Sequence, residues 1–331
     1  MFHRTLPASR ESGKTANIDT CERKNRTLLL VRVERASYFV QAVRAGSIRA
    51  AAEQMELTSS GVSEQITALE EELDVVLLHR GRRGITLTDA GRVVFDRAVD
   101  LIRAQERLFD AAANATTGIS GRVRVGANPL LAITVVTPAI ISIGRQHAAL
   151  HTQITESASS DLEIQISRGL LDFAVISTPP EPPLKSVRRE HVATYPMAAY
   201  VPAASELSNR RTLRWTDLAN APLVSMRRGT TLGDRMFAAL DKPHVIAEVA
   251  SLHHVAYMVD NGMGIGIGVP LDIPFGEQRG MWRSIIDAES VAVQIASPTD
   301  IPMPRQVRAV RDAVRTRLIE AASAANRMPE Q

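Results

Sequence analysis

Cysteine is all but missing from this 331-residue chain, with Cys21 the single one. That excludes an intramolecular disulfide and a cysteine-built metal cluster, and it fits a reducing compartment such as the cytoplasm. No apolar run reaches the ~18 residues that would suggest a membrane-spanning helix. The first 27 residues have no apolar middle of the kind a secretory signal needs; they read as a polar, disordered tail. Net charge is also small, +3, so an argument for a polyanionic partner must rest on where charge sits rather than on its total. Arginine greatly outnumbers lysine, which a GC-rich coding sequence explains more readily than selection for paired donation.

Signatures of enzyme chemistry are missing too. There is no nucleophile elbow, no phosphate loop and no histidine pair at metal-binding spacing. His253 and His254 are adjacent, so on a helix they point in different directions and cannot share a metal. Gly262 to Gly268 alternates glycine like a dinucleotide loop, but it precedes a strand instead of opening a helix, so a phosphate could not be cradled there. No catalytic residue, metal ligand or cofactor is expected.

What is present begins with a helical pattern. Val33, Ala36, Phe39, Val40 and Val43 share a face of a helix ending near Ala45; Gly46 stops it and Ser47 caps the next, about Ile48 to Met55. Its Ala50, Ala51 and Ala52 let a neighbour approach closely. After a short turn, Thr58 or Ser59 caps a third helix to about Leu73, with Val62, Ile66, Leu69 and Leu73 inward. Ser59, Ser60, Ser63, Glu64 and Thr67 are left on the open face. Two short helices joined by a tight turn, the second with a polar outer face, spell a helix-turn-helix. Val75–Leu78 and Ile85–Leu87 then flank His79-Arg80-Gly81-Arg82-Arg83-Gly84, a hairpin wing decorated with arginine. Thr88 caps a long helix, about Asp89 to Ala113, whose apolar stripe suits a partner helix. Asn114 to Gly121 breaks the pattern.

Beyond the break, strands and helices alternate. Strands are expected from Val123, over Thr152–Thr155 and over Leu171–Ile176, with helices over Leu130–Ile143 and Asp161–Leu170, a βαβ series that predicts a largely parallel sheet. The proline-rich Thr178 to Pro183 reads as a crossing or hinge. A second α/β unit follows, with strands over Tyr195–Val201 and Leu223–Met226, helices over Thr231–Leu240 and Ser251–Asn261, and a closing helix over Pro304–Asn326.

From Tyr38 to Gly91 the chain resembles the LysR-type transcriptional regulators. The shared features are Tyr38-Phe39-Val40, Gly46-Ser47, Ala50 to Ala52, Val62-Ser63, Leu69-Glu70 and Leu87-Thr88-Asp89-Ala90-Gly91. Leu171-Asp172-Phe173-Ala174-Val175, Asp217-Leu218 with Ala221 to Val224, and Gly262-Met263-Gly264-Ile265 with Pro270 are similar to later family segments. The resemblance implies an N-terminal, mainly α winged helix-turn-helix, a long linker helix and a two-lobed α/β effector domain of periplasmic-binding-protein type. The expected partition is a tail over 1–27, a DNA-binding domain over 28–88, a linker and dimerisation helix with hinge over 89–120, and an effector domain over 121–331. Within the last, lobe I takes about 121–180 and 285–331, and lobe II about 181–284. Two departures stand out. Where the family usually has Pro-Ala-Val-Ser and a basic residue, this chain has Ser60-Gly61-Val62-Ser63-Glu64. About thirty residues also precede the first helix, and a native start near Val31 or Val33 is expected.

The expected function is sequence-specific regulation of transcription under control of a small-molecule effector. Ser59, Ser60, Ser63, Glu64, Gln65 and Thr67 are the candidates for the major groove, Arg80, Arg82 and Arg83 for phosphates or the minor groove, and Arg49 for the backbone. In α/β units ligands sit beyond the carboxyl ends of strands. That nominates Asn128, Ser157 and Ser177 from one lobe and Met226, Arg227, Thr230 and Ser251 from the other. The helix start near Thr231, with Arg227 and Arg228, favours an anion such as a carboxylate; surface arginines with ordinary caps are the equally open alternative. Expected partners are a double-stranded DNA operator, the effector, a second copy in a homodimer or homotetramer, and RNA polymerase, with no membrane. The competing reading is a solute-binding protein, which would explain two lobes but not the first ninety residues.

Overall fold

The computed structural model describes residues 31–81, 84–177, 181–271, 279–299 and 301–327. The expected tail, Arg82 and Arg83, and Thr178 to Pro180 lie outside them. The described chain forms two compact units, divided between Ile102 and Arg103.

The first unit opens with three helices, α1 (Val33–Ala45), α2 (Ile48–Gln54) and α3 (Ser59–Leu73). Their punctuation is that expected from the sequence. Gly46 ends α1 in the left-handed region at φ 73°, and the Ser47 hydroxyl accepts from the Ala50 N–H at 3.1 Å. Thr58, rather than Ser59, caps α3, accepting from the Gly61 N–H at 3.2 Å. Phe39, Val40, Ala51, Ala52, Val62, Ile66 and Leu69 are buried together, so the alanines of α2 do allow close helix approach. Strands β1 (Leu78–Gly81) and β2 (Gly84–Leu87) pair antiparallel as the wing.

A long helix, α4 (Asp89–Thr117), follows and is four residues longer than the apolar pattern suggested. Gly118, at φ 84°, ends it.

The second unit contains two sheets. The first has strand order β4-β3-β5-β13-β6, built from β3 (Gly121–Ala127), β4 (Leu150–Glu156), β5 (Phe173–Ser177), β6 (Val187–Tyr195) and β13 (Val291–Pro298). Strands β3, β4 and β5 run parallel; β13 runs antiparallel to β5 and β6, so the sheet is mixed. Helix α5 (Thr137–Gly144) is preceded by a wider π-type turn, Ala132–Val136. Pro138 explains that turn: it lacks the N–H that would bond Thr134, and its ring would crowd that carbonyl. Helix α6 (Ser159–Ser167) buries Leu162 and Ile166 against Leu171, Ala174 and Ile176. The C-terminal helix, labelled α10 below (Arg305–Arg327), buries Val307, Val310, Val314, Leu318, Ala322 and Ala325, a stripe at helical spacing.

The second sheet has order β10-β9-β11-β7-β12-β8, from β7 (Ala198–Pro202), β8 (Thr212–Leu213), β9 (Leu223–Met226), β10 (Val245–Val249), β11 (Ile265–Gly268) and β12 (Gly280–Ile285). Helices α7 (Trp215–Leu218), α8 (Thr231–Ala239) and α9 (Leu252–Asp260) complete this lobe. The alternating glycines serve packing here. A Cβ on Gly266 would lie 2.5 Å from a Val255 methyl, and one on Gly268 2.5 Å from a Leu252 methyl, so α9 sits directly on β11.

One expectation needs correcting. The segment Thr178 to Pro183 is expected to be the crossing; its first three residues lie outside the described ones, and the described chain after it has not yet changed lobe. The chain returns to the first sheet as β6, paired with β13 from Val187↔Pro298 to Val291↔Tyr195. It crosses only between Tyr195 and Ala198, and it comes back between Ile285 and Val291. Lobe II therefore does not begin at 181. Prolines end an element, but they carry no information about which sheet the next strand joins.

Candidate nucleic-acid interface and effector cleft

The polar face of α3 lies beside the wing, and one arginine joins them. Arg80, from β1, donates to the Ser63 hydroxyl at 2.8 Å and the Thr67 hydroxyl at 3.0 Å, and it lies 3.4 Å from a Glu70 oxygen. Arg80 and Thr67 are exposed and Ser63 is half-buried, so the three form one surface of donors and acceptors. Ser59, Ser60 and Glu64 are exposed on the same helix, and Ser60 donates to the capping Thr58 hydroxyl at 3.3 Å. Arg49 is exposed on α2 and pairs with Glu53 at 2.9 Å.

Gln65 does not belong to this surface. It is half-buried, and its Oε1 accepts from Arg35 Nε of α1 at 3.2 Å, while Arg35 also pairs with Glu72. One position from the buried Ile66, its side chain turns inward to answer a guanidinium, so the expectation that Gln65 reads a base is withdrawn.

Two residues hold the surface in place. The Glu70 carboxylate accepts from the backbone N–H of Leu77 and Leu78, at 2.7 and 3.1 Å, tethering the wing to α3. Thr88 caps α4 by accepting from the Gly91 N–H at 2.8 Å while donating to the Val76 carbonyl at 2.7 Å. Sequence reasoning used Glu70 only as a family marker. Its part in positioning depends on backbone seven and eight residues away, where β1 begins, and has no local signature.

In the second unit the lobe I candidates converge. Asn128, just past β3, caps the following turn by accepting from the Leu131 N–H at 2.9 Å, and its amide lies 3.4 Å from the Ser177 hydroxyl at the end of β5. Ser157, just past β4, donates its N–H to the Ala127 carbonyl at 3.2 Å. Parallel strands bring all three to one sheet edge.

In lobe II the ends of β9 and β10 are joined where the Arg227 N–H donates to the Val249 carbonyl at 2.9 Å, directly after the half-buried Met226. Thr230 caps α8, accepting from the Gly233 N–H at 3.1 Å, and Ser251 caps α9 with its hydroxyl 2.7 Å from His253 Nδ1. Arg227 is exposed, whereas Arg228 lies over the Phe237 ring, 3.8 Å from its centroid. Burial, together with His254, holds the His253 imidazole below its ordinary value, and Glu156 at the end of β4 opposes that shift. The carboxyl end of β4 in lobe I is thus within electrostatic reach of the first turn of α9 in lobe II. Sequence reasoning weighed His253 only as a metal ligand and did not single out Glu156.

A winged helix-turn-helix followed by two α/β lobes with converging strand ends defines a class, the effector-responsive DNA-binding regulators. The family models agree with it. Residues 33–92 match the bacterial regulatory helix-turn-helix protein of the lysR family, and residues 116–319 match the LysR substrate binding domain. The chain belongs to the LysR family of transcription regulators, with a DNA-binding and an effector-binding domain. It is 28% identical over 232 residues to a probable hydrogen peroxide-inducible genes activator of Mycobacterium leprae, covering 69% of this chain and 74% of that protein. Among solved structures it resembles a full-length OxyR variant from Pseudomonas aeruginosa (TM-score 0.70, 19% identity, 87% of this chain and 96% of that one). It also resembles full-length CbnR complexed with its target DNA (TM-score 0.56, 17% identity, 86% and 99%). Among the described residues, no helix is long and apolar enough to cross a membrane.

Proposed function

We propose that α3 enters the major groove of a duplex operator with Ser59, Ser60, Ser63, Glu64 and Thr67 toward base edges, while Arg80 engages the flanking backbone. The observation that carries this reading is the shared surface of Arg80, Ser63 and Thr67. It sets a cation beside neutral hydroxyls, so phosphate attraction and base discrimination lie next to each other. The Glu64 carboxylate suits a cytosine amino group and disfavours non-specific phosphate binding. Arg49 reaches the backbone from α2 only by giving up Glu53. In this reading residues 28–88 bind DNA, 89–120 link and dimerise, and the remainder senses an effector.

The effector is a small molecule held where Asn128, Ser157 and Ser177 face Met226, Arg227, Thr230 and Ser251. The caps of α8 and α9 and the exposed Arg227 support an anion such as a carboxylate. The chain acts in the cytoplasm as a regulator rather than an enzyme, and its family supports that. It works as a homodimer or homotetramer, and RNA polymerase is a further partner. The test is binding of the purified full chain, at moderate salt, to the intergenic DNA upstream of its own gene. Footprinted protection there is the expected result; binding no stronger than to scrambled duplex would end the proposal.

A further inference from the structure

Lobe I carries an open cavity of about 750 Å³ between the C-terminal half of α4, the start of β3 and the first turns of α10. Its lining is strongly one-sided in charge, with seven arginines and two carboxylates, Glu106 and Asp172, among the described residues. Arg124 answers both carboxylates: its guanidinium meets the two Glu106 oxygens at 2.8 and 2.9 Å, and its backbone N–H donates to Asp172 at 2.7 Å. Arg103, almost fully buried, donates to the Leu171 carbonyl at 2.9 Å, and Arg311 pairs with Asp312 at 3.0 Å. Four guanidinium groups remain. Arg107, Arg122, Arg188 and Arg308 line the cavity with no carboxylate at ion-pair distance among the described residues, although Arg188 donates to the Ser297 hydroxyl at 3.3 Å and Arg308 to the Met303 carbonyl at 3.4 Å.

Four like charges around one concavity repel each other, and the low-dielectric wall strengthens their field toward whatever enters. Planar guanidinium forks match phosphate and carboxylate oxygens in pairs. The first turn of α10, a 23-residue helix, adds backbone N–H groups at the same place. Phe109, Ile301, Pro302 and Met303 supply an apolar part of the wall. Arg122 lies six residues before Asn128 on an extended strand, roughly 20 Å away, at the opposite end of β3 from the effector cleft.

We infer that this cavity is a second ligand site, separate from the cleft, for a compact polyanion bearing two or more phosphate or carboxylate groups. The inference does not depend on operator binding, because the anion is measured without DNA. Calorimetry on the full chain uses pyrophosphate in one arm and citrate in the other, at matched ionic strength; the stronger arm identifies the anion chemistry. The expected result is saturable binding of one anion per chain. It should weaken by about tenfold or more in the Arg107→Gln/Arg308→Gln double variant and stay unchanged in Arg210→Gln, outside the cavity. If the double variant does not fold by circular dichroism, the exposed Arg122→Gln replaces it, with the same loss expected. No saturable heat from either anion, or equal affinity with and without the substitutions, overturns the site. So does sensitivity of duplex DNA binding alone to these substitutions, which would assign the arginines to a nucleic-acid backbone.

Discussion

At the residue scale, the junction between wing and linker helix depends on one missing methyl group. A Cβ on Gly91 would lie 2.1 Å from the Leu77 carbonyl oxygen, which already accepts from the Thr88 N–H. Gly91→Ala must therefore push α4 off the wing, and it is expected to lower stability by about 1–3 kcal/mol, read as a lower urea midpoint. Arg80 has a different use. Its replacement by alanine should leave folding nearly intact, since its partners are exposed or half-buried, but should weaken operator binding. If Arg80 meets one phosphate, the slope of log affinity against log salt becomes shallower by about 0.9; an unchanged slope would remove Arg80 from the interface. Gly61 shows propensity and packing pulling apart. Helix propensity alone gives Gly61→Ala about 1 kcal/mol of gain, yet the new Cβ would meet the capping Thr58 hydroxyl at 3.1 Å, so a smaller gain is expected.

At the element scale, the first turn of α9 is tuned by pH. Burial keeps His253 below its ordinary value of 6.5. Between the folded value and 6.5 the unfolded chain binds more protons than the folded one. The contribution of neutral His253 is thus complete above pH 6.5 and is lost as pH falls through the folded value. Wild-type protein should lose more stability between about pH 7.5 and about pH 5.5 than His253→Gln does, measured by urea midpoints. Helix α4 carries a second expectation. Val93, Leu101, Leu108 and Phe109 are exposed on it, at spacing close to a heptad. A second copy covering that stripe gives a two-fold dimer. Light scattering should then show Leu101→Glu/Leu108→Glu as a monomer where the wild type is larger; a variant of unchanged mass would move the dimer contact elsewhere. Elements whose periodicity and punctuation agree were legible in sequence: α1 to α3, the βαβ run from β3 to β5, α8 and α9. Strand β6 was not, because Arg188, Arg189, Glu190 and His191 give it the surface of a loop. Its strand character comes from pairing with β13, a hundred residues on.

At the scale of the whole molecule, the order of domains follows from sequence, and the assembly of each site does not. Local chemistry, meaning helix spacing, Gly46 and Ser47 as stop and start, and the wing flanked by glycines, determined that a winged helix-turn-helix precedes an α/β region, because those signals act over a few residues. The same is true of Asn128, Ser157 and Ser177: strand ends can be read from the pattern, and parallel pairing then brings them together. Only tertiary structure decided that Gln65 turns to Arg35, that Glu70 tethers the wing, that the chain crosses lobes after Tyr195, and that arginines from α4, β3 and α10 surround one cavity. Those outcomes depend on hydrogen bonds and charges between residues far apart in sequence, and a hydrogen-bond donor has no periodicity that announces its partner.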